Sequence, residues 1–333
     1  MTFKERKIFW NALNQAKTRQ DTNIIKSSYT VPKKLYRYRS VNTHSLEALC
    51  ENKLYFSSSD YYDDPFDTYL RIDWKKLHNV LYNLSSGNCP PTVIDWFNKN
   101  LGIQITSDSF LNLDTVSATK HIKDYLCNIR NNVRKNIWSV CFSESPLNKE
   151  LWLKYANSHK GFIVEYDTYN DNLYLCGKNT SCIQCPMGNA PIPLYPIYYS
   201  SKRYDASNYA CFLGICTLLS NDNSPLSQTI LQQIIANDTC VWEAEKVTLI
   251  KEWEYRHDKE WRSILANTYP CPPSHSPFVK WVPSRIIFGY QMPESEKTLL
   301  NSIAQNAGIT KIAQVIIDDN DKFTIQNISA PKH

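Results

Sequence analysis

Apolar residues recur at helical spacing over residues 3–18, with Phe9, Leu13 and Ala16 on one stripe, and this predicts an amphipathic helix that ends in a polar stretch before Pro32. The pattern then switches to period two. In "KLYRYR", residues 34–39, Leu35, Arg37 and Arg39 fall on one side of a strand while Tyr36 and Tyr38 fall on the other. "NTHSLEALCEN" predicts a short helix with Leu46, Leu49 and Cys50 inward, stopped at Asn52, and "KLYFSS" predicts a second strand over 53–58. That strand runs into the acidic turn "DYYDDPFD". Residues 74–136 read as an interrupted helical layer, followed by a strand over 137–143 and a helix opened by Ser145 and Pro146, serine being a good cap and proline tolerated at the first position. This helix stops near Gly161, where the strand "GFIVEYD" begins.

Beyond a Cys- and Pro-rich loop at 172–193, "LYPIYYS" predicts one strand, and helices are expected at 206–220, 225–237 and 241–257. A strand is expected from Glu260, then strand "SRIIFGY", helix "ESEKTLLNSIAQNAG" and strands "KIAQVIID" and "KFTIQNI". The expected class is α+β, with a mixed, mainly antiparallel sheet. Residues 1–30 form an N-terminal helix and connector, and 31–333 form one domain with helical insertions at about 74–136 and 206–257, since no repeat or linker divides it.

Composition narrows the classes. With 37 basic and 32 acidic residues the net charge is +5, a mild excess without a long basic run, which permits nucleic-acid binding without arguing for it. The most apolar run, "ACFLGICTLL" at 210–219, is too short to span a bilayer, and "MTFKERKIFW" lacks the apolar segment of a secretory signal, so the expectation is a cytoplasmic protein with no membrane partner. Eleven cysteines are spread along the chain and read as reduced thiols. Cys176, Cys182 and Cys185 make the one tight group, which is either a free-cysteine loop or part of a structural zinc site lacking an evident fourth ligand. Forty-two aromatic residues (9 Trp, 21 Tyr, 12 Phe) suit a thick core or a pocket for flat ligands, while eight glycines leave no Gly-rich phosphate loop.

Chemistry-bearing residues concentrate in four stretches: "LYRYR", "YFSSSDYYDDPFD", "CFSESPLNKELWLKYANSHKGFIVEYD" and "YRHDKEWR". Arg37 and Arg39 offer planar donor forks suited to phosphate or carboxylate. "DKE" entering a strand places Asp258 and Glu260 on one face with Arg262. One reading is catalytic; the other is an internal ion-pair network of Arg39, Arg262, Asp258 and Glu260 that locks early and late strands together. Asp60, Asp63, Asp64 and Asp67 could hold a hard cation, yet Pro65 breaks any single helical face and the turn reads first as a turn. His159 reads as a helix-end residue, with a base as the alternative. Trp152 and Tyr155, one helical turn apart, read as core or as a ligand shelf.

Taken in order, these motifs resemble the bacterial domain-of-unknown-function family numbered two-nine-seven-one. Its members pair a Y-R/K-Y strand, an N-D-P-F-D turn, a C-F-S-x segment followed by W-x-x-Y-A and a glycine, and a late E-x-E-x-R. The match spans roughly 34–290. Asp63 stands where the family has Asn, and Asp258 where the first Glu is usual. The resemblance implies a bacterial setting of defence, phage defence or toxin action. A looser likeness to ADP-ribosyltransferases implies NAD as substrate, with Arg37 or Arg39 and Tyr38 binding it, Ser57 or Ser143 at the serine position, Glu260 and Asp258 catalytic, and Trp152, Tyr155 and Arg262 contacting substrate. No metal is required on this reading, and the target is a macromolecule of unspecified kind. The other classes are a metal-dependent nuclease on Asp63, Asp64 and Glu260, and a non-catalytic binding or sensor module.

Overall fold

The computed structural model describes residues 1–86, 115–168, 193–221, 240–266 and 276–328, with a few positions between 224 and 232. It is an α+β fold built on a nine-stranded, mostly antiparallel sheet. In chain order the strands are β1 (Lys34–Arg39), β2 (Lys53–Tyr55), β3 (Ser57–Ser58), β4 (Ile137–Ser143), β5 (Phe162–Asp167), β6 (Leu194–Pro196), β7 (Tyr198–Ser200), β8 (Ile250–Glu252), β9 (Glu260–Ala266), β10 (Phe278–Lys280), β11 (Arg285–Phe288), β12 (Ile312–Ile317) and β13 (Phe323–Ile328). The main sheet runs β13-β12-β11-β5-β1-β4-β9-β6, with β3 also paired to β4; β2 pairs β10, and β7 pairs β8, as separate two-stranded sheets. The β11–β12 pair is parallel, and its crossover carries the helix Glu294–Asn306.

The N-terminal helix, Phe3–Gln15, starts at a capping box in which Thr2 and Glu5 satisfy each other's backbone groups. Phe9, Leu13 and Ala16 are buried as the periodicity predicts, and Arg6 is buried beside them. One sheet face carries Val140, Phe142, Trp261 and Phe288 against the helices Thr43–Cys50 and Glu294–Asn306. The other carries Tyr36, Tyr38, Ile163 and Val315 against the helix Lys149–Tyr155.

Several expected elements are redrawn. The strand over 53–58 breaks at Phe56, 1% exposed, which plugs the core while β2 and β3 join different sheets. "LYPIYYS" likewise splits at fully buried Ile197. Asn148, not Ser145, caps the helix Lys149–Tyr155, accepting from the Glu150 and Leu151 amides at 3.0 and 3.2 Å. Cys50 faces solvent, and Ala48 takes the inward position with Leu49. The helix expected over 241–257 is a short helix Glu243–Thr248, then β8, then the 3-10 helix Trp253–Asp258. The Cys176, Cys182 and Cys185 group lies outside the described residues. No helix among the described residues is long and apolar enough to cross a membrane.

Candidate functional site

The centre of the sheet is pulled open. Strand β1 makes six register pairs with β5, and β4 makes seven with β9, but β1 and β4 meet at one pair, Tyr36 with Ser143. Where they part, a cavity of about 260 Å³ forms, lined by all of Tyr36–Arg39 on one side and by Ser139, Cys141 and Ser143 on the other. The acidic turn, the helix Lys149–Tyr155 and the 3-10 helix Trp253–Asp258 complete its walls. A buried tight contact holds β1 in place: a Cβ on Gly161 would stand 2.2 Å from the Arg39 carbonyl oxygen and 2.9 Å from the Ala156 Cα. Gly161→Ala is therefore expected to cost about 1–3 kcal/mol or more in urea denaturation, and to disturb the Arg39 end of the cavity.

The antiparallel register sets Cys141 opposite Arg262 and Ser143 opposite Glu260 on one face. Arg262, 1% exposed, forks onto Asp67 at 2.7 and 2.6 Å, donates from Nε to Glu260 Oε1 at 2.5 Å, and reaches the Thr248 carbonyl at 2.9 Å. Lys251 Nζ donates to Asp258 Oδ2 at 3.0 Å and Glu260 Oε2 at 3.1 Å. The Glu260 backbone is pinned as well. Its amide donates to the Tyr199 hydroxyl at 2.7 Å, and its carbonyl accepts from Arg6 Nη1 at 2.9 Å and the Ile197 amide at 3.0 Å. Asp258 is fixed through its carbonyl, which accepts from Ser143 Oγ at 2.7 Å.

The electrostatics of the two acids diverge. Burial alone would raise the Glu260 carboxyl, but Arg262 and then Lys251 outweigh it and hold the group well below the usual carboxylate range. Asp258 moves the other way: burial raises it, Lys251 opposes, and the neighbouring Glu260 charge adds to the rise. Burial pushes the Cys141 thiol up to about 11, with Glu260 adding to it, so Cys141 stays protonated and unreactive at neutral pH.

Arg37 and Arg39 stand apart from this network. Both are half-buried and line the cavity, and neither has a carboxylate partner among the described residues. Arg37 Nη1 is shut off from solvent without a hydrogen-bond partner among the described residues. Burial, and after it the Arg37 charge, pushes the Arg39 guanidinium down to about 9, so both remain cations at neutral pH. Buried donors are normally satisfied. Guanidinium forks outside any ion pair have donors to offer a phosphate or carboxylate, and they share the cavity with the Asp63, Asp64, Asp67, Asp258 and Glu260 side chains.

Most residues expected at a site converge here: Arg37, Tyr38, Arg39, Ser57, Ser143, Tyr155, Asp258, Glu260 and Arg262 all line the cavity. Trp152 does not. It is 1% exposed, meets Tyr38 edge-on, stacks on His159 and donates to the Pro146 carbonyl, as a core residue does. Tyr38 lines the cavity while its hydroxyl is committed to the Ser145 carbonyl at 2.6 Å. Ion pairing is real among Asp67, Asp258, Glu260 and Arg262, but Arg39 is not in it and Lys251 is. The two acids do not alternate along a strand. Asp258 ends a 3-10 helix and Lys259 is left-handed at φ 46°, so the carboxylates meet at Lys251 through a turn.

In the acidic turn, Asp67 serves Arg262, Asp63 pairs with Lys154 at 3.3 Å, and Asp64 accepts from the Phe66 amide at 2.8 Å. No three His, Cys, Asp or Glu side chains among the described residues converge as a metal-ligand set. Phe66, within this turn, is 48% exposed with the Arg203 guanidinium 3.7 Å from its ring centroid. Lys251, Tyr62 and Arg6 went unread in the sequence. Tyr62, hydrogen-bonded to Ser139 and lying 5.3 Å from the Arg262 guanidinium, carried no signal beyond its place in the turn. No family model, curated protein or solved structure matches the chain.

Proposed function

We propose that the cavity binds the phosphates of NAD through Arg37 and Arg39 and that the protein cleaves the nicotinamide glycosidic bond, transferring the ADP-ribosyl group to a macromolecule or to water. The observation that carries this reading is the pairing, in one cavity, of two arginines that make no ion pair among the described residues and a carboxylate held in its ionised form. The C1′–N bond breaks with its electron pair going to the departing nicotinamide, and the ribosyl cation is captured by an acceptor oxygen or nitrogen that gives up a proton. Glu260 is suited to the charge-stabilising part, since Arg262 and Lys251 hold it ionised and its backbone is fixed on three sides. A carboxylate offers about four lone-pair sites. Two are used by these cations and a third faces the Cys141 thiol, which leaves one for a ribose hydroxyl. Asp258, whose carboxyl is raised, is the better placed of the two to take the acceptor's proton. A setting of bacterial defence or toxin action, with a macromolecular target, accords with this chemistry.

The test is nicotinamide release from NAD by the purified chain, with and without cell lysate. Wild type is expected to release it, and Glu260→Gln is expected to lose at least 100-fold (on the order of the loss when one transition-state-stabilising group is removed). Because Glu260 also pairs with two buried cations, Arg37→Met is assayed alongside as a variant outside that network. No release from wild type under either condition sinks the proposal.

A further inference from the structure

The rim of the cavity carries three tyrosines from three separate segments: Tyr61 from the acidic turn, Tyr155 at the end of the helix Lys149–Tyr155, and Tyr255 from the 3-10 helix Trp253–Asp258. Tyrosines of the interior pair with other rings, as Tyr38 does with Trp152 and Tyr166 with Trp281. The rim tyrosines have no ring partner among the described residues. Tyr61 is 81% exposed and Tyr155 is 42% exposed. Ammonium groups steady two of them, with Lys154 5.0 Å from the Tyr155 centroid and Lys251 4.6 Å from that of Tyr255. Single exposed rings are ordinary, but here two exposed rings and the half-buried Tyr255, none with a ring partner among the described residues, stand around one cavity whose lining mixes cations and carboxylates, and their open faces gain by being covered.

We infer that Tyr61, Tyr155 and Tyr255 form a stacking platform for a nucleobase, so that the cavity selects a nucleotide over a bare phosphate or a sugar phosphate. The inference rests on the reading of Arg37 and Arg39 as the phosphate anchor and adds the second point of recognition. Stacking is tolerant of base identity because every base presents a flat π-face, so the platform sets ligand class and the base itself is free to vary.

The experiment is calorimetric titration of the full chain with ADP, inorganic pyrophosphate and ribose 5-phosphate at one ionic strength. ADP is expected to bind at least tenfold more tightly than either of the others. Tyr61→Ala is expected to weaken ADP about tenfold, the usual worth of one base stacked on a ring, and to leave pyrophosphate within twofold, while Tyr61→Phe retains ADP affinity. Equal affinity for ADP and pyrophosphate, or unchanged ADP binding in Tyr61→Ala, overturns the platform. The phosphate reading is distinguished in the same titrations. If pyrophosphate binds and Arg39→Met abolishes it while ADP shows no advantage, the platform alone fails; if wild type binds neither ADP nor pyrophosphate, both readings fail.

Discussion

Arg262→Met is expected to remove about 3–5 kcal/mol of stability, the usual result of breaking a buried ion pair from one side. Two buried carboxylates, Asp67 and Glu260, would lose their shared cation, and Asp67 would lose both guanidinium contacts. Against a total of about 5–15 kcal/mol for a typical domain, that is a large fraction. Urea denaturation at neutral pH measures it. Arg262→Lys is expected to recover little, because an ammonium cannot fork onto Asp67 while also reaching Glu260 and the Thr248 carbonyl. The double variant Arg262→Met with Asp67→Leu is expected to be more stable than Arg262→Met alone, since it removes one stranded charge.

The same network sets a pH dependence. The Glu260 carboxyl is lower in the folded chain than in the unfolded one, so its contribution is present above the ordinary glutamate value of about 4.3 and is lost as pH falls below it. Wild type is expected to weaken with acid over that range. Arg262→Met is expected to lose the Glu260 share of this dependence, because the largest cause of the depression is gone.

The second large effect has the opposite sign. Arg37 and Arg39 repel one another, are half-buried and have no counter-ion among the described residues, so their charged forms oppose folding. Replacing either with methionine keeps the aliphatic stem and removes the desolvated charge. Arg39→Met is expected to raise stability by about 0.5–2 kcal/mol, the range seen when a site held for function is relieved, and to lose binding of anionic ligand altogether. A merely structural arginine behaves in the reverse way, since removing it costs stability and leaves ligands unaffected. Gain of stability with loss of binding is thus the signature that separates a receptor from a brace.

Much of the fold was legible because its central strands are continuous. "KLYRYR" and "IWSVCFS" alternate or stay apolar over their whole length and appear as β1 and β4 with the expected bounds, and "GFIVEYD" appears as β5 starting one residue later, at Phe162. The strands that misled are those that change sheet partway, at Phe56 and Ile197, where one buried apolar residue keeps the pattern running while the backbone turns. Residues 241–257 misled for a similar reason. Trp242, Leu249 and Trp253 fall at helical spacing across what is a helix, a strand and a 3-10 turn. That misreading hid Lys251, whose role depends on β8 lying beside the turn that carries Asp258. The arginine row and the acid pair were visible as residue types. Their separation into an ion-paired network and an arginine pair outside it was not, because it depends on β1 parting from β4, and pairing between strands a hundred residues apart leaves no local mark.

The most direct measurement is thermal unfolding of wild type, Arg37→Met and Arg39→Met, each with and without saturating NAD. Wild type is expected to melt higher with NAD, and both variants to melt above ligand-free wild type and to ignore NAD. Variants that melt below ligand-free wild type, or that keep the full NAD shift, would contradict the assignment of Arg37 and Arg39 as an anion receptor.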